Sequence, residues 1–215
     1  MKTTILLIRH GETAWNAVRR LQGHIDIPLN EQGERQAAAL ARALSAERLD
    51  AIVSSDLQRA MQTAQAVAAR HAHLRLATDP QLRERAYGVF EGMLYPDIER
   101  QYPDDFARWH ARDIDAVMPA GGRLAESFRQ FYQRSIAALQ AVAARHAGQT
   151  VAVVAHGGVL ECAYRAAQGI QLDCPRDFQV RNASINRFSM ADEKFVLDSW
   201  GEVAHLALPT MDDVI

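Results

Sequence analysis

ILLIRHGETAWN, Ile5 to Asn16, runs four apolar residues straight into a cation, a titratable ring and a glycine. An unbroken apolar run this short reads as a strand covered on both faces, as in a parallel sheet flanked by helices. The pattern returns in TVAVVAHGG, Thr150 to Gly158: apolar strand, histidine, glycine. A third run, DAIVS at Asp50–Ser54, leads into SDLQRAMQT and places Arg59 in the first turn of a following helix.

Helical spacing fills the intervals. Asn30 can cap a helix to about Ala46, with Leu40, Ala41 and Leu44 on one face. Asp56 is expected to cap the next, where Met61, Ala64, Val67 and Ala68 form the apolar stripe. A short strand near Leu74–Ala77 follows. Glu126–Arg145 reads as a long amphipathic helix carrying Phe128, Phe131, Leu139 and Val142. Val159–Gln168 reads as another, with Gly169 suited to its stop. Ile185–Met190 and Lys194–Trp200 alternate like a closing strand pair. Strand and helix alternate throughout, which predicts one α/β domain over residues 1–215 with a mostly parallel sheet. Residues 85–124 differ. They are rich in Tyr, Asp, Arg and Pro, with short helical pieces around Asp97–Gln101 and Asp104–Arg112, and read as an excursion over the surface.

Composition narrows the functional classes. The 215 residues are 48% hydrophobic and 23% charged, with a formal net charge of -2, which gives no reason to expect nucleic-acid or membrane binding. Lys2 and Lys194 are the only lysines, so a bound anion would meet arginine forks. Cys162 and Cys174 fit no metal spacing and no CxxC motif, and are expected as free thiols. No stretch approaches the roughly 20 apolar residues of a membrane helix, and the N-terminus shows no signal pattern. A cytoplasmic location is expected.

In open α/β sheets, ligands bind beyond the carboxyl ends of the strands. His10 and His156 both fall at such ends, and Arg9 and Arg59 join them. Two histidines could ligate a metal, but a metal site rarely sets two arginines against the cation, and HExxH is missing. Arginines point to an anion, and their forks suit phosphate. The amides of Gly157 and Gly158, opening a helix, suit it too. Neutral His10 could then attack phosphorus with one ring nitrogen while the other donates to a backbone carbonyl. Glu84, at the mouth of the excursion, offers a proton for the leaving alcohol.

LLIRHGETAWN resembles the signature of the histidine phosphatase superfamily, the phosphoglycerate mutase-like proteins. RLQGHIDIPLNEQGERQA, IVSSDLQRAMQTA, LRERAYGVFEG, AVVAHGG and NASINRF match later family blocks in order, over nearly the whole chain. The resemblance implies a three-layer α/β/α sandwich, no metal and no cofactor. It makes His10 the phosphorylated nucleophile, with Arg9, Arg59 and His156 in the phosphate pocket and Glu84 as acid and later base. It places Asn16, Gln22 and Gly23 in the loop lining that pocket, beside the Gly157 amide. The excursion becomes a variable lid that selects a small phosphorylated metabolite. A homodimer is among the possible assemblies.

One departure stands out: Arg123 follows the glycine pair where relatives often have Gly-Glu-Ser, and Glu126–Ser127 follows Ala125. The cap of the long helix is therefore expected to be shifted. The excursion has no lysine and no Arg-Arg pair between Arg83 and Gly122, which favours a phosphomonoesterase over a cofactor-dependent mutase. ERAYGVFEG leans towards the mutase pattern. A catalytically dead binding domain would have lost a core residue, and none is lost.

Overall fold

The computed structural model describes residues 1–192, 194–207 and 212. In chain order the elements are β1 (Thr3–Arg9), α1 (Ala14–Ala17), α2 (Glu31–Ala43), β2 (Ala51–Ser54), α3 (Gln58–Ala68), β3 (Leu76–Thr78), α4 (Tyr95–Gln101), α5 (Pro103–His110), α6 (Phe128–Arg145), β4 (Thr150–Ala155), α7 (Gly157–Gln168), β5 (Ile185–Ala191) and β6 (Lys194–Glu202). The strands form a six-stranded sheet in the order β3-β2-β4-β1-β5-β6. The first four of that order run parallel, and β5 and β6 close one edge as an antiparallel pair.

The unbroken apolar runs follow from burial on both faces. Ile5, Leu7, Val151 and Val153 point to one side, against Leu139 and Val142 of α6 and Leu160 and Ala163 of α7. Leu6, Ile8, Ile52, Ala152 and Val154 point to the other, against Leu40 of α2 and Ala60, Ala64 and Val67 of α3. The chain is thus the three-layer α/β/α sandwich that the resemblance implied. After β1 it turns to one helical layer and after β4 to the other, so a crevice opens beyond their ends.

The caps contain one correction. Asp56 does not cap α3: Leu57 stands at that position, and Asp56 instead pairs with Arg83, whose Nε donates to Oδ1 at 2.7 Å. The first-turn amide of Gln58 is taken by Asp26, 2.7 Å away and 32 residues earlier. The shifted cap of α6 is Ser127, which forms a reciprocal capping box with Gln130. Gly169 ends α7 at φ +66°, as its sequence position predicts.

Residues 85–124 share a small core with Leu21 of the loop after α1, in which Tyr87, Phe90, Ile98, Trp109, Ala116 and Met118 pack together. Their roots are stitched to each other. Tyr87 bridges Ala125, the Gly88 amide donates to the Leu124 carbonyl at 3.2 Å, and the Glu126 amide to that of Ala86 at 2.9 Å. Among the described residues, no helix is long and apolar enough to cross a membrane. Cys162 is buried, Cys174 is exposed, and both are free thiols.

Candidate active site

The pairing of β1 with β4 sets Arg9 opposite Ala155, so the next residues, His10 and His156, are neighbours on adjacent parallel strands. Their ring centroids lie 5.2 Å apart with the planes tilted by 59°. The Nδ1 of His10 lies 2.7 Å from the Gly11 carbonyl oxygen. A carbonyl only accepts, so Nδ1 carries the proton and Nε2 keeps its lone pair. Asn182 donates to the His10 carbonyl at 3.0 Å, and the Thr63 hydroxyl accepts the Gly11 amide at 3.0 Å. Gly11 itself is needed for close approach: a Cβ there would lie 2.6 Å from the Gly33 carbonyl oxygen.

Arg9 and Arg59 are both buried to within 1% of full burial. Arg9 donates through Nη1 to the Val180 carbonyl at 2.6 Å. Arg59 holds the loop after α1, donating to the carbonyls of Gly23 at 2.8 Å and Ile25 at 3.1 Å. Burial lowers the Arg59 pKa to about 10, which leaves it cationic at neutral pH. Both histidines are pushed well below the ordinary value of 6.5, first by burial and then by the Arg59 charge. They are neutral imidazoles at neutral pH. His156 meets the Ser55 hydroxyl through Nε2 at 2.8 Å, while its buried Nδ1 has no hydrogen-bond partner among the described residues.

Glu84 reaches the crevice from the root of the excursion. One carboxylate oxygen accepts the Gly158 amide at 3.1 Å and the other the Arg85 amide at 2.8 Å. The Gly158 amide, offered to phosphate by the sequence alone, is therefore occupied by Glu84. Only a glycine fits there, since a Cβ would fall 2.4 Å from Glu84 Oε1 and 2.7 Å from the Phe131 ring. The Glu84 carbonyl is held by the His24 ring at 2.8 Å and Arg134 at 3.1 Å.

Gln22, Gly23, Arg59 and Glu84 line one cleft, together with Tyr87 and Tyr95. Asn16 is engaged more locally: it closes the capping box of α1 with Thr13, whose hydroxyl also lies 3.1 Å from Gln22 Oε1. Gly157 opens α7 beside His156. Among the described residues, no group of three or more His, Cys, Asp or Glu side chains is placed to hold a metal ion.

Sequence reasoning missed the partners: Ser55, Thr63, Asn182, His24 and Arg134. His24, Ser55, Thr63 and Asn182 lie within the blocks that carry the resemblance; Arg134 lies outside them. Ser55 stands just beyond the carboxyl end of β2, where ligands collect, a local signal that singles it out.

Fold and crevice together define an α/β/α sandwich whose parallel strand ends carry two neutral histidines between two buried guanidinium groups. A family model described as histidine phosphatase superfamily (branch 1) matches residues 5–203. The chain belongs to that superfamily. It is 39% identical over 207 residues to a metal-independent phosphoserine phosphatase of Arabidopsis thaliana, covering 95% of this chain and 84% of that one. It is 38% identical over 204 residues to phosphoglycerate mutase-like protein 4 of the same plant, covering 94% and 86%. Among solved structures, Bacillus stearothermophilus YhfR matches with a TM-score of 0.85 at 33% identity, covering 94% of this chain and 98% of that one.

Proposed function

We propose that the chain hydrolyses phosphomonoesters through a phosphohistidine on His10. The observation that carries this reading is the His10 ring itself: its Nδ1 proton is tied to the Gly11 carbonyl, its Nε2 lone pair is free, and burial keeps it neutral. Nε2 attacks phosphorus, the P–N bond forms, and the bond to the alcohol oxygen breaks. Glu84, in its acid form, gives that oxygen a proton. In the second step the Glu84 carboxylate takes a proton from water, the water oxygen attacks phosphorus, and the P–N bond breaks to free His10 and inorganic phosphate. Arg9, Arg59 and the unpartnered Nδ1 of His156 face the charge of the phosphoryl group, in a buried setting where such donors act strongly. The relatives named as a phosphatase and as mutase-like support phosphoryl chemistry on a small metabolite. The lysine-free excursion favours water as acceptor.

Rapid quench with a ³²P-labelled phosphomonoester tests this. Label should remain on the protein in alkali, be released by acid, and be absent in His10→Ala. Equal labelling of that variant would refute the assignment. With an acceptor alcohol in excess, label ending in the alcohol instead of inorganic phosphate would favour the mutase reading.

A further inference from the structure

The chamber beside Glu84 is much larger than the alcohol part of phosphoserine or phosphoglycerate. It measures about 930 Å³ and is walled by Tyr87, Tyr95, Trp109, Phe128 and Phe131. Gly158 lines it, and the Gly158 amide bonds the Glu84 carboxylate. Tyr87 and Tyr95 also line the small cleft that contains Arg59 and Glu84. The chamber therefore begins where a leaving oxygen would collect its proton.

Its walls are preformed. Tyr95 stacks on Trp109 at 5.6 Å and 16°, and Trp109 packs against Tyr87 and Phe90 inside the core of the excursion. Two of the arginines lining it are committed to the protein. Arg112 pairs with Glu161, and Arg85 donates to the carbonyls of Glu126 and Ala116. They build the wall, as does Arg176, which faces Asp212 at 3.9 Å, while Arg19 lines it with its side chain exposed. A serine-sized alcohol would fill on the order of a fifth of this volume at liquid-like density. The remainder would hold water against aromatic surface, an arrangement that an apolar group relieves.

Resting on the phosphomonoesterase reading, we propose that the substrates are phosphomonoesters of bulky, largely apolar alcohols the size of a ring system. The test is a series with one leaving oxygen and growing bulk: ethyl, 2-phenylethyl and 2-(naphthyl)ethyl phosphate, with phosphoserine alongside. Each leaves as a primary alkoxide, so the demand on Glu84 is constant. From ethyl to 2-phenylethyl, kcat/KM should rise by at least ~10-fold, and it should not fall with naphthyl. Phosphoserine should stay near ethyl phosphate. Ala111→Trp, which puts a ring on the chamber wall, should cut the naphthyl-to-ethyl ratio by about 10-fold or more. The wild-type series stands without that variant. Turnover of all esters at rates flat or falling with bulk, or phosphoserine outrunning 2-phenylethyl phosphate, would overturn the inference and leave the phosphatase reading intact. No turnover of any ester, p-nitrophenyl phosphate included, with no labelled protein would overturn both.

Discussion

His10 and His156 are buried beside two guanidinium groups, with no carboxylate against either ring among the described residues, and this has a thermodynamic signature. Their pKa values are lowered on folding, so between the ordinary value of 6.5 and the lowered values the unfolded chain binds protons that the folded one does not. Stability is therefore full above pH 6.5 and falls as the pH drops, by about 1.4 kcal/mol per pH unit for each histidine. Urea unfolding between pH 7.5 and 5.5 should show this loss, and a His10→Gln/His156→Gln double variant should show a shallower one. Identical slopes would mean that the rings are not held neutral by burial. Arg59→Ala should lower kcat/KM by ~10²–10³, and steady-state kinetics reads it directly. Arg9, His10 and His156 were legible because an apolar strand, a histidine and a glycine recur together, and Arg59 because it opens the helix after a third such strand. Their hydrogen-bonding partners were not. Ser55 meets His156 across 101 positions, and no local pattern records a contact of that kind.

The N-terminus of α7 is where one element sets the position of another's side chain. Gly158 is the only residue type that leaves room for the Glu84 carboxylate there. Gly158→Ala should displace that carboxylate and so act like Glu84→Gln. Phosphorylation of His10 by an alkyl phosphate should slow by ~10²–10⁴ in Glu84→Gln, since a poor leaving group needs the proton. With p-nitrophenyl phosphate, whose leaving group departs unaided, the loss should be much smaller. Single-turnover bursts with both substrates compare the two. An equal loss in both would make Glu84 a structural residue and return the acid to open search. Strands and long helices were readable because burial on two faces writes itself into apolar runs and helical stripes. The start of α3 was misread because its acceptor, Asp26, comes from a distant loop, while Asp56 was already committed to Arg83.

Across the molecule, the cationic crevice should report an anion through stability. Inorganic phosphate bound there favours the folded state by about 2.7 kcal/mol at a hundred times its Kd. The thermal midpoint should rise with phosphate concentration, and Arg59→Ala should lose most of that rise. No shift in the wild type would count against a phosphate pocket. The excursion was visible in composition alone, since its Tyr, Pro and charged residues break the strand-helix alternation. The space it encloses was not, because a volume depends on how aromatic rings from several short helices lean together. The stitched roots of that excursion have a further consequence. Tyr87 and Ala125 are held side by side whatever lies between them, and the entropy of closing a longer loop grows only slowly with its length. Length can thus be added or removed at small entropic expense within the interval, while residues 91–94, which bond the loop of Leu21 and His24, stay fixed. The scaffold behaves as a socket: the strand ends hold the histidines, and the interval between the roots is a fitting whose length can change without moving them.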